Sequence, residues 1–283
     1  MKSFKKSSLM FSSLLLLVGL NSAPQVSKAA EVQKVTEITT EEGEKIGIGN
    51  AQVSGLNSFK SIDTSNTKID QKKLIDGNLN SVKQIITIDS VSSDTKIDIP
   101  LQLDNGDYIK LYQDEKGKVY NSGNIYNKEN ESIGIITTNI IENEDIKVKA
   151  DIVDSDTLQL SLKPESTSQS IQMEVMATSG STFSTYFSSG SWITRDGVKS
   201  LSLKHKSYLT TSTDVGEAGV KKADSWNKVK SKFSSSSNWY NTGGLKDQYD
   251  CHFGFAKSKN PWNLEPSRPD VSYAVTVAKL CNP

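Results

Sequence analysis

KIDIPLQLDNGDYIKL, residues 96–111, alternates apolar and polar side chains on both sides of an Asn-Gly pair. Successive side chains of a strand point to opposite faces of its sheet, so Ile97 and Ile99 share one face while Asp98 lies on the other. Asn105-Gly106 is a preferred turn between hairpin strands. The sequence here therefore predicts two antiparallel strands joined as a hairpin, with one face buried and one face in water.

The same alternation continues before and after this hairpin. Apolar side chains recur at every second position in several further runs, and Lys116-Gly117 forms a second turn pair. These positions are Ile86, Ile88, Ile109, Leu111, Ile146, Val148, Ala150, Leu158, Leu160, Leu162, Ile171, Met173 and Val175. We therefore predict a β-rich module over residues 60–178, folded as an antiparallel β-sandwich or barrel.

The N-terminus has the pattern of a secretory signal peptide over residues 1–29. Lys2, Lys5 and Lys6 precede an apolar run from Leu9 to Leu20, and Ser27-Lys28-Ala29 fits the cleavage rule for small residues. The run is shorter than the roughly 20 residues that a membrane-spanning helix needs. We expect a secreted, extracellular protein without a transmembrane segment after cleavage; an uncleaved membrane anchor is the alternative.

Residues 30–59 form a second N-terminal segment with a different composition. They are rich in Glu, Thr, Lys and Gly and show no sustained hydrophobic period. Such a composition is typical of segments without a packed core. We therefore expect a flexible lead between the signal peptide and the β-rich module.

The charge distribution divides the remaining chain into an acidic and a basic half. Residues 30–177 carry 15 basic and 25 acidic side chains, whereas residues 178–283 carry 14 basic and 8 acidic ones. The Ser/Thr/Gly-rich region from Lys163 to Ser184 separates the halves. We predict a second, basic domain over residues 184–283, whose lysines either meet an anionic cell-envelope polymer or lipid, or are simply solvated.

Within the basic half, a strand is expected over Val198–Tyr208 and a helix after Asp214, which can cap the first free amides. Apolar residues from Val215 to Phe233 recur at helical spacing. Two later runs, Tyr249–Ala256 and Ser272–Leu280, are typical of strands and would pair as a long hairpin. The predicted fold class is α+β, mostly β, with an N-terminal antiparallel β module followed by a small disulfide-closed α+β domain.

The chain has two cysteines, Cys251 and Cys281, and a secreted protein normally oxidises such a pair. The disulfide would close the open ends of the predicted hairpin. A zinc site needs more ligands than His205 and His252 can supply without a Cys-x-x-Cys motif. We therefore expect a Cys251–Cys281 disulfide, no metal site and no cofactor.

The densest group of reactive side chains surrounds His252. In the predicted strand, Asp250 lies on the same face as His252, so His252 is a candidate general base that Asp250 or Glu265 would orient. Arg268 could hold an anionic substrate. The alternative is structural: Glu265 pairs with Arg268, Trp262 fills the core, and His252 occupies a buried position. No nucleophile elbow, reactive thiol or phosphate-binding loop accompanies the group.

The C-terminal motifs resemble those of the DUF2599 family, a domain of unknown function in secreted bacterial proteins. The resemblance covers roughly residues 184–283. One departure is Ser267, where the family often has an aromatic residue before Arg-Pro-Asp. The motifs are Trp192-Ile193-Thr194-Arg195-Asp196-Gly197-Val198, the helix around Trp226, Gln248-Tyr249-Asp250-Cys251-His252-Phe253, Trp262-Asn263-Leu264-Glu265-Pro266, Arg268-Pro269-Asp270 and Cys281-Asn282-Pro283.

The resemblance brings no established catalytic residues, so two functional hypotheses follow. The first is a secreted binding or accessory protein, associated with the cell envelope, in which the loop from Trp262 to Asp270 contacts an extracellular ligand through Trp262, Arg268 and Asp270. The alternative is a secreted effector, an antibacterial toxin or hydrolase, with His252 as general base. Whether the protein is an enzyme stays open, a purely structural envelope role is a third possibility, and no nucleic-acid partner is expected.

Overall fold

Antiparallel strands form most of the secondary structure in the computed structural model of the protein, which describes residues 35–39, 43–55, 67–76, 79–91, 95–143, 145–165, 169–179, 182–212 and 214–283. The predicted signal peptide lies outside the described residues. The strands are β1 (Thr36–Thr39), β2 (Lys45–Ile48), β3 (Gln52–Gly55), β4 (Thr67–Asp76), β5 (Leu79–Val91), β6 (Thr95–Leu103), β7 (Tyr108–Gln113), β8 (Val119–Tyr126), β9 (Ser132–Glu142), β10 (Lys147–Ile152), β11 (Thr157–Lys163), β12 (Gln169–Ser179), β13 (Phe187–Arg195), β14 (Val198–His205) and β15 (Trp262–Leu264).

Two six-stranded sheets enclose one apolar core. The first sheet has the strand order β1-β2-β6-β11-β10, with β3 also paired to β6, and the second has the order β4-β5-β12-β9-β8-β7. The alternating residues predicted from the sequence face this core, among them Ile97, Ile99 and Met173, which are fully buried. The predicted fold class is therefore confirmed in its main feature, a mostly β chain built from antiparallel sheets.

The two predicted turn pairs have different roles. Lys116-Gly117 joins β7 to β8 as a hairpin, as predicted, and Gly117 adopts a positive φ of 83° there. Asn105-Gly106 follows β6 but carries the chain into β7, which belongs to the other sheet. The hairpin predicted at this position is wrong, because each flanking strand finds its hydrogen-bonding partners elsewhere: β6 pairs with β11, β2 and β3.

The expected flexible lead over residues 30–59 is also wrong where the structure describes it. The segment supplies β1, β2 and β3, and β2 pairs with both β1 and β6. Ile38, Ile46 and Ile48 are buried in the core. Each of these strands has four residues. Runs this short contain too few alternating positions to produce a sustained hydrophobic period.

The C-terminal part has its own core between a small sheet and several helices. The sheet has the order β13-β14-β15, and β14 covers most of the strand predicted over Val198–Tyr208. The predicted capping by Asp214 is present, since its Oδ1 accepts a hydrogen bond from the Glu217 amide at 2.9 Å. The helices are α1 (Phe183–Tyr186), α2 (Ser207–Thr210), α3 (Val215–Phe233), α4 (Thr242–Phe255) and α5 (Tyr273–Ala278).

The two runs predicted as a terminal hairpin are helical. Tyr249–Ala256 belongs mostly to α4, which begins after Asn241, whose Oδ1 accepts a hydrogen bond from the Gly244 amide at 3.2 Å. Leu245, Tyr249 and Phe253 share the buried side of α4 because they are four residues apart. The second run, Ser272–Leu280, contains the short helix α5.

The predicted Cys251–Cys281 disulfide is nevertheless formed, with 5.4 Å between the two Cα atoms. It joins α4 to the turn that follows α5, and it does not clamp a hairpin. Helix α5 lies next to α4, so the turn brings Cys281 back to the helix. The disulfide therefore fixes the final segment of the chain onto the core of the C-terminal part.

Helix α3 connects the two cores through close contacts with the second sheet. The Lys228 Nζ atom donates to the main-chain oxygen of Ser132 at 2.7 Å, and the Asn124 amide donates to that of Val220 at 3.4 Å. At Gly219, a Cβ atom would lie 2.1 Å from the ring of Tyr112, so only glycine permits this approach. The described residues belong to one compact unit. The division into modules 60–178 and 184–283 stays a prediction.

Candidate functional site

Trp262, a predicted ligand contact, lies inside the C-terminal core. Its side chain has no exposed surface, and its Nε1 donates to the main-chain oxygen of Ala256 at 3.1 Å. The ring packs against Tyr249 with a centroid distance of 5.5 Å and against His205 at 4.6 Å. A ligand at the protein surface therefore does not touch this indole.

His252, the predicted general base, is buried beside Trp262, with the two rings stacked 6.0 Å apart. Its Nε2 lies 3.4 Å from the main-chain oxygen of Asn263, and its Nδ1 has no hydrogen-bond partner among the described residues. Burial lowers the pKa of His252 to about 4, and the charge of Lys259 adds to the lowering. The imidazole is therefore neutral and shielded from solvent at neutral pH.

Neither predicted partner orients His252. Asp250 forms salt bridges with Lys246 at 2.5 Å and with Lys222 at 3.9 Å. Because α4 is a helix, residues two positions apart point in nearly opposite directions, and the shared face expected from a strand does not exist. The Glu265 carboxylate is likewise occupied by other side chains. The structure therefore does not assemble a general base from these three residues.

Glu265 is the centre of a buried ionic cluster. Its Oε2 accepts from Arg268 Nε at 2.6 Å, and its Oε1 accepts from Arg195 and Ser200, each at 3.3 Å. The carboxylate side chain is 4% exposed, so the two guanidinium groups compensate a charge that is removed from water. The Glu265–Arg268 salt bridge is the one expected if this group of residues has a structural role and not a catalytic one.

Main-chain contacts hold the same loop against α4. The Gln248 Nε2 donates to the main-chain oxygen of Glu265 at 3.0 Å, and the main-chain amide of Glu265 donates to Gln248 Oε1 at 2.9 Å. At the start of α4, the Asn241 side chain donates to the main-chain oxygens of Pro266 and Arg268. We call this set of contacts the motif latch. It is buried at Gln248 and Glu265, so it fixes the loop and does not present it to a ligand.

Arg268 and Asp270 are the two predicted ligand contacts with solvent access. Arg268 is partly exposed, although its Nε atom is committed to Glu265. Asp270 is exposed and lies beside the first turn of α4, where a Cβ atom on Gly243 would come within 2.4 Å of its Oδ2. A carboxylate at this end of a helix is favoured by the partial positive charge of the free amides.

The buried His252 makes stability depend on pH. Its folded pKa of about 4 is below the ordinary value of 6.5, so the unfolded chain takes up a proton first as the pH falls. The contribution of the neutral His252 to the free energy of unfolding is fully present above pH 6.5 and is lost as the pH falls toward 4. We expect the wild type to lose about 2.5 kcal/mol more than His252→Phe between pH 7.5 and 4.5, measured by urea unfolding.

The comparison with His252→Phe removes the contribution of carboxylates, which titrate in both proteins. Equal losses of stability in the two proteins would show that His252 accepts a proton in the folded state. That result would contradict the buried, neutral imidazole described above.

A cleft of about 570 Å³ lies between the β8–β9 turn and the C-terminal half of α3, and we call it the junction cleft. Asn127 and Ser132 contribute to its lining on the sheet side, and Phe183 contributes its aromatic ring. Glu44 and Glu131 also line it. The lining therefore combines amide, hydroxyl, charged and aromatic groups, which can hold a polar ligand in several directions.

Three lysines of α3 make one side of the junction cleft basic: Lys228, Lys230 and Lys232. Lys232 lies over the Phe183 ring, 4.3 Å from its centroid, and Lys228 reaches the main chain at Ser132. Among the described residues, none of the three forms a salt bridge with a carboxylate. Their charges therefore remain available to an anionic ligand.

A second groove, of about 580 Å³, lies near the beginning of α3. Its lining includes Tyr120, Ile140 and Val215, and its charged member is Asp214. None of the described residues that line it is basic, so these residues offer no positive charge to balance an anionic group. The junction cleft is thus the better candidate for the ligand expected from the basic half of the chain.

The junction cleft was only partly visible in the sequence. Lys228, Lys230 and Lys232 stand out as a basic cluster, but their clustering alone is equally typical of a solvated helix. The opposing wall comes from the β8–β9 turn, about a hundred positions earlier in the chain. No local pattern indicates that this turn and α3 lie together.

The comparisons with known proteins show that the C-terminal part is similar to one protein family. Residues 187–283 match the model of DUF2599, a protein family of unknown function, which confirms the resemblance seen in the motifs. Uncharacterized proteins of Mycobacterium bovis and Mycobacterium tuberculosis are 41% identical over 46 residues, 15% of this chain. The matched part spans 31% of the length of each of these relatives.

Within the described ranges, the helices are too short or too polar to cross a bilayer. The predicted signal segment is outside those ranges.

Proposed function

We propose that the protein is a secreted binding or accessory protein of the cell envelope, and that the junction cleft binds an anionic, hydroxyl-rich polymer. The observation that carries this proposal is the set of three α3 lysines at the edge of a polar cleft, none of which has a carboxylate partner in the part of the chain that the structure describes. Ammonium groups form charge-assisted hydrogen bonds with phosphate and carboxylate oxygens. Asn127, Asn130 and Ser132 add amide and hydroxyl groups that suit the hydroxyls of such a polymer.

The cleft replaces the loop from Trp262 to Asp270 as the proposed recognition surface. That loop is fixed by the motif latch, and its indole is buried. The effector alternative depends on His252 as a general base, but His252 is neutral and shielded, and neither Asp250 nor Glu265 orients it. The observed geometry therefore favours binding over catalysis at this position.

The test is sedimentation of the protein with insoluble bacterial cell walls, before and after chemical removal of their anionic polymer. We expect saturable binding that requires the polymer. Lys230→Ala/Lys232→Ala should weaken it about tenfold, the effect of losing two exposed charge contacts. Both lysines are exposed, so the folded state should be preserved.

The matched control is Lys199→Ala/Lys204→Ala, which removes the same charge from exposed positions of β14. It should bind like the wild type. Equal weakening by both variants would mean that net charge, and not the cleft, determines binding. Absence of any wall binding by the wild type would overturn the proposal.

A further inference from the structure

Three carboxylates converge where the β6–β7 turn meets the residue before β2. Glu44, Asp104 and Asp107 each place a carboxylate oxygen so that the three oxygens lie within 4.8 Å of one another. Asp104 and Asp107 flank the Asn-Gly turn, and Glu44 directly precedes Lys45. We propose that this carboxylate trio binds one divalent cation of the calcium type.

Asp107 provides the decisive observation because one oxygen of its buried carboxylate has no hydrogen-bond donor among the described residues, although the Lys128 main chain forms a hydrogen bond with the carboxylate. The residue is 5% exposed, and its Oδ2 has no hydrogen-bond donor among the described residues. An ionised carboxylate removed from water needs a donor or a positive charge to offset the lost hydration. Asp104 and Glu44 add negative charge at the same place. A bound cation would satisfy Asp107 and remove the repulsion within the trio.

The backbone brings the three groups together before any ion binds. The Asp107 main-chain amide donates to the main-chain oxygen of Asp104 at 3.0 Å, and Gly106 between them has a φ of 95°. This tight turn keeps Asp104 and Asp107 close together. The Lys45 amide donates to Asp104 Oδ2 at 3.2 Å, which attaches the segment with Glu44 to the same turn. The site is therefore held by main-chain contacts from two separate parts of the chain.

The surrounding charges leave the trio predominantly negative. Glu129 and Lys128 are the neighbouring charged side chains on the β8–β9 turn, and they pair with each other at 3.9 Å. The Glu44 carboxylate also interacts with the side-chain amide of Asn127, which is a neutral group. Lys128 also acts electrostatically on Asp107 but is shared with Glu129, so these described neighbours add little net charge at the trio.

The donor set selects the class of metal ion. All three side chains supply oxygen, and none supplies sulfur or imidazole nitrogen, so a hard cation is preferred over zinc. Calcium accepts irregular oxygen coordination and can complete its shell with water, whereas magnesium demands a near-ideal octahedron. Three carboxylates without a dedicated loop suggest a Kd of about 10⁻⁴–10⁻³ M, the range of extracellular calcium modules. The sequence pattern alone predicts no metal site here.

Calorimetric titration of the metal-free full chain with calcium chloride tests the inference. We expect one calcium per chain and a rise in the unfolding temperature of about 3–6 °C at 10 mM calcium. Asp107→Asn should reduce the affinity at least tenfold. In metal-free buffer, the same variant should unfold at or above the wild-type temperature, because it lacks one of the three repelling charges. A purely structural carboxylate would show the opposite effect.

Asp89→Asn, at an exposed position of β5, is the matched control and should bind calcium like the wild type. Asp104→Asn, at an exposed turn position, replaces Asp107→Asn if the latter does not fold. No calcium heat with the wild type, or unchanged binding by both trio variants, would overturn the inference. Since calcium itself is the probe, this result is independent of the polymer proposed for the junction cleft.

Discussion

Replacing Trp262 with alanine is expected to lower the free energy of unfolding by about 3–5 kcal/mol, the usual cost of emptying a large aromatic site. The indole is fully buried and contacts Tyr249, Phe253 and both histidines. The substitution also leaves the main-chain oxygen of Ala256 without its indole donor. Urea unfolding followed by circular dichroism measures the loss.

Trp192→Ala is the matched control, because Trp192 is partly exposed on β13. It should cost clearly less than Trp262→Ala. If Trp262→Ala does not fold, Trp262→Phe retains an aromatic ring and should show a smaller loss of the same sign. A loss below about 1 kcal/mol for Trp262→Ala would contradict its place in the core and return it to the predicted ligand contacts.

Removal of the Cys251–Cys281 disulfide is expected to cost about 3–4 kcal/mol by the chain-entropy estimate. The two cysteines are 30 positions apart, so the bond shortens a long loop in the unfolded chain. It also fixes the last turn of the chain to α4. Urea unfolding of Cys251→Ala/Cys281→Ala against the wild type measures this loss.

Reduction provides the control for this prediction. A reducing agent should destabilise the wild type to the level of the double alanine variant and leave that variant unchanged. Alkylation of the native protein followed by mass determination should find no free thiol. Two alkylated cysteines in the native protein would show that the disulfide does not form.

The sequence predicted the sheets well where alternation was long. β11 and β12 have seven and eleven residues, so their buried positions repeat often enough to define a face. Asn105-Gly106 forms a turn, as predicted, but the strands on its two sides do not pair as a hairpin. Turn chemistry is local, whereas the partner of each strand is decided by the packing of the whole core.

The C-terminal helices show the opposite difficulty. Tyr249–Ala256 taken alone contains a short apolar run, and such runs do not distinguish a strand from a helix. The helical repeat appears only when Leu245 is included, four positions before Tyr249. A strand would place Asp250 and His252 on one face, and the hypothesis of a general base depends on that face, which the helix α4 does not provide. The prediction of the Cys251–Cys281 disulfide is still confirmed, because it depends on the number of cysteines and not on the secondary structure around them.

The contacts of the motif latch involve residues that also carry the similarity to DUF2599. Gln248, Trp262 and Glu265 are among the residues by which the DUF2599 resemblance is recognised, and all three are interior side chains. A sequence signature made of buried residues identifies a shared fold, but it does not constrain the residues of the surface. Proteins with this signature should therefore be distinguished by exposed positions within the matched region, such as Lys230 and Lys232 on α3, since proteins with the same interior can bind different targets.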